Sequence, residues 1–260
     1  MGVTENGALA DGGARVTRPL ASTDPRAGDT MKHKTRLIVL GRQGAGKGTQ
    51  CARLAARLSV PHISTGDLFR AEAANGTDLG RRVAAHLDAG SLVPDAVVLD
   101  LVAARLGNTS AREAGYLLDG FPRTLPQGEA LFEVLGARAA DVAVELHVPT
   151  SVVLPRLAAR RVCQECGATF SVPAGADEIT RCPRCGGPVT RRSDDTDAAI
   201  ARRLATYDRE SGPLLVWLDE LGLLVRVEGV GPPDEVHLGL LEAVRSRVPE
   251  LDVDYGPAPN

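Results

Sequence analysis

No run in the 260 residues approaches the roughly 18 to 20 consecutive apolar residues that cross a bilayer, and no basic segment followed by an apolar stretch opens the sequence. No membrane association is expected, and the chain reads as cytoplasmic. Charge of one sign is also missing. Lys and Arg number 30 against 33 Asp and Glu, whereas a dedicated binder of nucleic acid or of a membrane surface carries a strong basic excess. Aromatic residues make up only 3%, leaving little on which bases could stack. Cysteine is sparse and unevenly placed: four of the five form two Cys-x-x-Cys pairs, and the fifth, Cys51, lies in a helical stretch and reads as a small core residue. Without a secretion signal, such pairs suit thiolates on a metal better than disulfides.

What is present is apolar material, 43% of the chain, enough for one large domain or a domain with insertions. Residues 1–34 are rich in Gly, Ala, Asp, Thr and Pro without apolar periodicity, so a disordered extension is expected there. Met31 is a candidate start within it. Residues 35–249 form the expected domain, and 250–260 a loose tail.

Short apolar runs at Thr35 to Leu40, Pro61 to Ser64, Tyr116 to Asp119, Val142 to Val148 and Leu223 to Val227 alternate with helix-like segments rich in Ala, Leu and Arg. Parallel strands need helical crossovers, so the alternation predicts an open parallel α/β sheet with ligands at the carboxyl ends of its strands. Two stretches do not fit the sheet, a polar helical one at 64–93 and a cysteine-bearing one at 159–195. Both read as insertions over its working edge.

Gly41-Arg-Gln-Gly-Ala-Gly-Lys-Gly-Thr49 follows the first strand and opens a helix, the context a phosphate-binding loop requires. Gly44, Ala45, Gly46, Gly48 and Thr49 would turn backbone N–H groups onto phosphate oxygens, with Lys47 reaching the β and γ phosphates. Gly48 follows the lysine where the general pattern has the hydroxyl, which comes one place later at Thr49. The other reading is an ordinary Gly-rich turn. Asp119 ends an apolar strand at the same edge, where a carboxylate can hold Mg²⁺ through its water shell or merely cap the next turn.

The segments Gly41 to Gln50, Ser64-Thr-Gly-Asp-Leu-Phe-Arg70 and Leu118-Asp-Gly-Phe-Pro-Arg-Thr124, in that order, resemble the adenylate kinase family, and the similarity extends from about Thr35 to Val236. The resemblance implies a P-loop nucleoside monophosphate kinase fold: a five-stranded parallel sheet flanked by helices, with a monophosphate-binding insertion and a zinc-ribbon lid. It implies phosphoryl transfer from Mg·ATP to AMP, with ADP as product, in a monomer. By the same resemblance, AMP meets Thr65, Arg70, the backbone of Ser91, Leu92 and Val93, the segment Gly120, Phe121, Pro122 and Arg123, and Gln127 at the base. Arg156, Arg160, Arg192 and Arg203 close over the phosphates, steadied by Asp194 and Asp195; Thr169, Phe170 and the backbone near Gly231 pass the ATP base. Arg161, Arg191 and Arg202 have no matching role and are expected to be solvated. Arg42 and Gln43 replace the family's usual small residue and proline, so local loop stiffness is expected to differ.

Cys163-x2-Cys166 and Cys182-x2-Cys185 give a tetrahedral zinc signature in which four thiolates leave no open position, so the role is structural. A redox dithiol pair or an iron–sulfur site are the alternatives. Since the AMP phosphate is already an oxyanion, the transfer needs no general base. It needs alignment and charge neutralisation, assigned to Lys47, Arg123, Arg160, Arg192 and Arg203. Two other functions remain open at this stage: another monophosphate as acceptor, or a nucleotide-sensing or nucleic-acid-binding zinc-ribbon protein.

Overall fold

The structure, a computed structural model, describes residues 35–106, 115–136, 139–192 and 194–249. The extension at 1–34 with Met31, the tail at 250–260 and Ser193 lie outside the described residues. Strand β1 (Arg36–Leu40) leads through the glycine-rich loop into helix α1 (Lys47–Leu58), followed by β2 (His62–Ser64), α2 (Thr65–Ala74), α3 (Asp78–Ala89) and α4 (Asp95–Leu106). Then come β3 (Tyr116–Asp119), α5 (Leu125–Leu135), β4 (Val142–His147) and α6 (Thr150–Ala159). Three short strands, β5 (Arg160–Cys163), β6 (Thr169–Ser171) and β7 (Val189–Thr190), precede the 24-residue α7 (Asp197–Glu220), β8 (Leu224–Glu228) and α8 (Pro233–Arg247).

Each expected strand forms within a residue or so of its apolar run. Together they make a five-stranded sheet in the order β2-β3-β1-β4-β8, with every pairing parallel. The order reverses at β1, which lies between β3 and β4, and a crevice opens beyond the carboxyl ends of strands at such a point. Alternation along β1 supplies both cores. Leu37 and Val39 pack with Leu54 of α1 and Leu240 and Val244 of α8 on one face. Ile38 and Leu40 pack with Val98 and Val102 of α4 and Leu214 and Leu218 of α7 on the other. Truncating either fully buried leucine of α7 to alanine would cost about 2 to 5 kcal/mol.

Helix starts are set by hydroxyls. Ser64, Thr77, Thr124 and Thr196 each accept from the backbone N–H three residues on, capping α2, α3, α5 and α7. Strands β6, β5 and β7 form a separate antiparallel sheet in that order. Among the described residues, no helix is long and apolar enough to cross a membrane.

Candidate active site

The loop between β1 and α1 is shaped by glycine where no other residue serves. Gly46, the residue before α1, has φ 97°, a left-handed backbone that L side chains rarely adopt. At Gly41 a Cβ would lie 2.6 Å from the Leu146 carbonyl oxygen of β4, so the chain can pass only without a side chain. The first turn of α1 has neither an acidic residue nor a side-chain cap, which leaves its backbone N–H groups for an anion. Lys47 Nζ meanwhile donates to the carbonyls of Gly41 (2.6 Å) and Arg42 (2.9 Å). Burial pushes its ammonium down to about 8, helped by Arg123 and Arg160 and opposed by Asp119.

Across the crevice, β3 ends in Asp119, mostly buried, with Oδ2 3.3 Å from His62 Nε2. Gly120, Phe121, Pro122 and Arg123 follow, the Phe121–Pro122 peptide being cis. Arg123 Nε donates to the Gly120 carbonyl at 2.7 Å, and Thr65 Oγ1 donates to the same oxygen at 3.1 Å. Gln127 is fixed at both ends: Oε1 accepts from the Arg123 backbone N–H (2.8 Å) and Nε2 donates to Asp95 Oδ1 (2.6 Å). Arg70 pairs with Asp67 one helical turn earlier.

The arginines flanking the cysteine insertion converge on two buried carboxylates. Arg160 grips Asp195 with Nε at 2.7 Å and Nη2 at 2.5 Å, while Arg203 Nη2 holds Asp194 at 2.9 Å and the Leu87 carbonyl at 2.7 Å. Burial works against the Asp194 charge, yet the charge and hydrogen bond of Arg203 keep its carboxyl below the usual range. Burial, with Arg70 and Arg160 nearby, brings Arg192 down to about 10, and its Nε is buried without a partner. Arg123 is lowered by burial and then by Arg203 and Arg70, against the pull of Asp119. Arg156 reaches the carbonyls of Ala45 (3.4 Å) and Gly229 (3.2 Å), tying α6 to both the loop and the turn after β8.

Every residue expected to touch nucleotide, from Gly44 to Gly231 and including Ser91, Leu92, Val93, Thr169 and Phe170, lines one cavity of about 1430 Å³. Cys163, Cys166, Cys182 and Cys185 converge away from it, apart from Cys166 at its rim, with Sγ separations of 3.5 Å (Cys163 to Cys185) and 3.6 Å (Cys166 to Cys182). All four sulfurs lie within 4.8 Å of one another. A tetrahedral ion with bonds of about 2.3 Å would set sulfurs about 3.8 Å apart, so the set is compatible with zinc. Each pair sits in a turn closed by a backbone bond, Gly167 N to Cys163 O (3.1 Å) and Gly186 N to Cys182 O (2.8 Å).

Several side chains make contacts that the sequence did not foretell. Arg191 and Arg202 are exposed, as expected, while also meeting Asp197 and the Ala89 carbonyl, and Arg161 is half-buried and pairs with Glu178. Arg42 and Gln43 do more than alter stiffness. Arg42 bonds Asp208 (2.8 Å) and lies over the Tyr207 ring (5.7 Å), and Gln43 Nε2 donates to Asp195 (3.0 Å). Asp95, which orients Gln127, went unread; an Asp opening a helix after Pro94 looks in sequence like an ordinary helix start. Glu145 was missed too. Buried in β4, it accepts from Arg226 Nε at 2.7 Å and lies 3.5 Å from the Tyr207 hydroxyl.

The family model described as adenylate kinase matches residues 39–222. The chain is 41% identical to the adenylate kinase of Agathobacter rectalis over 209 residues, covering 79% of this chain and 97% of that one. With the adenylate kinase of Symbiobacterium thermophilum it shares 43% over 213 residues, 81% of this chain and 98% of the other. With that of Desulforudis audaxviator it shares 44% over 196 residues, 74% and 91%.

Proposed function

The chain belongs to the adenylate kinase family and is an ATP:AMP phosphotransferase with ATP, AMP and ADP as substrates, and from that premise we propose how its own residues perform the transfer. The observation that carries the proposal is the cluster of poorly neutralised cations around one cleft, in which Lys47, Arg123 and Arg192 are all held below their ordinary values. Cations crowded together and desolvated need an anion, and two nucleotides supply several phosphate charges.

ATP enters with its phosphates over residues 44–49 and its base toward Arg156, Thr169, Phe170 and Gly231. AMP enters between α2, α3 and residues 120–123. Its phosphate meets Arg70, Arg123, Arg192 and Arg203, and its base meets Gln127. An amide carries two N–H bonds and two carbonyl lone pairs, so Gln127, after satisfying Arg123 N and Asp95, keeps one donor and one acceptor for an adenine edge. Thr65 and the backbone of Ser91, Leu92 and Val93 close that side.

Transfer is direct. The attacking AMP oxygen is already ionised, so no residue removes a proton. Lys47, Arg123, Arg160, Arg192 and Arg203 hold donor and acceptor in line and offset charge spreading over the transferring group. Mg²⁺ carried in with ATP would neutralise phosphate charge, and Asp119, at the strand end beside Gly48, would hold its water shell. Zn²⁺ on Cys163, Cys166, Cys182 and Cys185 would supply folding energy to the insertion at 159–195.

Residues 159–195 act as a lid and 64–93 as the monophosphate-binding arm. Their closure excludes water that would otherwise hydrolyse ATP, a motion for which the adenylate kinase lid is itself a familiar case. Resemblance to the family's long forms supports reading the protein as a monomer. Phosphoryl transfer from Mg·ATP to AMP, GMP, CMP and UMP in parallel, with hydrolysis lacking acceptor as baseline, tests the assignment. Strong preference for AMP that is lost in Gln127→Ala supports the base pocket, and unchanged preference in that variant removes Gln127 from it.

A further inference from the structure

Cys51, His62 and Asp119 bring one sulfur, one imidazole nitrogen and one carboxylate oxygen within 4.8 Å of one another. They come from three elements locked by the sheet: the second turn of α1, the first residue of β2 and the last residue of β3. Strands β2 and β3 pair in fixed register, with Ser64 opposite Asp119, and His62 Nε2 already lies 3.3 Å from Asp119 Oδ2. The fold therefore already clusters the three donor atoms.

We propose that Cys51, His62 and Asp119 form a second metal site, selective for Zn²⁺ over Mg²⁺, whose occupation inhibits phosphoryl transfer. A thiolate, an imidazole and a carboxylate make a zinc donor set, whereas Mg²⁺ takes oxygen ligands and keeps its waters. On binding, the Cys51 S–H bond breaks and a sulfur–zinc bond forms, with one proton released to solvent. His62 donates its Nε2 lone pair from the tautomer protonated at Nδ1, and Asp119 donates as the carboxylate. Three protein ligands leave a fourth position, which faces the cleft because His62 and Asp119 line it while Cys51 is buried behind them.

The lid set has four thiolates and this one a single thiolate, so the lid fills first and the second site answers only to a surplus of zinc. Inhibition follows because zinc would take the Asp119 oxygen and place a cation next to Lys47. This part rests on the proposed role of Asp119 toward Mg·ATP; the binding itself does not.

The test begins with the full chain carrying only its tightly held metal, titrated calorimetrically with Zn²⁺, alongside transfer assays at buffered free zinc and saturating Mg·ATP. The wild type is expected to take up one further zinc, releasing about one proton, and to lose at least tenfold in transfer rate as that equivalent fills. Cys51→Ala and His62→Gln should each keep transfer with Mg²⁺ alone and keep the lid metal, yet lose both the extra equivalent and the inhibition. No further equivalent, or an identical one in both variants, overturns the site. An equivalent that the variants lose but that leaves wild-type transfer untouched overturns the inhibition, and that is the signature of a wrong role for Asp119 rather than of an absent site.

Discussion

Gln43 Nε2 donates a 3.0 Å hydrogen bond to Asp195 Oδ1, joining the phosphate loop to the returning end of the cysteine-bearing insertion through one carboxylate. The Asp195 side chain is fully buried and also holds Arg160 in two short bonds, with Arg203 Nη1 3.7 Å away. Loop, lid and α7 thus share a node. The same carboxylate thus bonds the loop and the arginine expected to close over it.

Removing the node's centre should cost far more than removing one spoke. Asp195→Ala leaves Arg160 buried without its partner, while Arg203 keeps Asp194, and a broken buried pair costs about 3 to 5 kcal/mol. Gln43→Ala removes one neutral donor from a carboxylate that keeps its arginines, at about 1 kcal/mol. Denaturant unfolding of the two variants checks the ranking; equal losses would mean that Asp195 is not the shared anchor.

Strand positions were legible because burial on both faces of a parallel sheet writes continuous apolar runs, as in Tyr116 to Leu118 and Val142 to Val144. The phosphate loop was legible because its backbone geometry admits little besides glycine. What stayed hidden depends on distances along the chain. Gln43 meets Asp195 across 152 positions and Arg42 meets Asp208 across 166, and no local pattern carries such pairs. Cys51 was read as a core residue and is buried as one; its proximity to His62 and Asp119 follows only from strand order.

Arg123 separates function from stability. It sits among cations, with Arg203 and Arg70 lowering it, so Arg123→Ala relieves repulsion while losing one bond to Gly120 O. Stability should move by less than about 1 kcal/mol, whereas kcat/KM should fall about 10² to 10³-fold through lost stabilisation of the transferring group. Near-normal turnover in this variant would remove Arg123 from the catalytic set.

The lowered Lys47 makes ATP binding a proton-linked event. At about 8, the ammonium of the ligand-free protein is half neutral at pH 8. The incoming triphosphate favours the charged form and raises its value, so binding takes up a proton, about half per ATP at pH 8. ATP affinity should accordingly weaken as pH rises through 8 and be flat well below it. Calorimetry in two buffers of different ionisation enthalpy, compared with Lys47→Met, reads this directly. Equal uptake in the variant would assign the proton to another group.

The lid has almost no packing to fall back on. Among the described residues its buried cluster is Cys163, Cys182 and Val189, two of the three being proposed ligands, with Ala168, Phe170 and Ile179 packed against them. Its three strands are four, three and two residues long, too short for independent stability without a further restraint. On the proposed reading a structural metal supplies what an apolar core cannot, and its removal should unfold the lid while the five-stranded sheet, with two apolar cores of its own, survives. Chelation, or Cys182→Ser, should sharply lower transfer to AMP and raise ATP hydrolysis relative to the transfer that remains, because water is no longer excluded. Amide exchange should show protection lost across 160–190 and kept in β1 and β4. Protection lost everywhere at once would mean that lid and sheet unfold as one unit, and that the metal stabilises the whole chain rather than the insertion it binds.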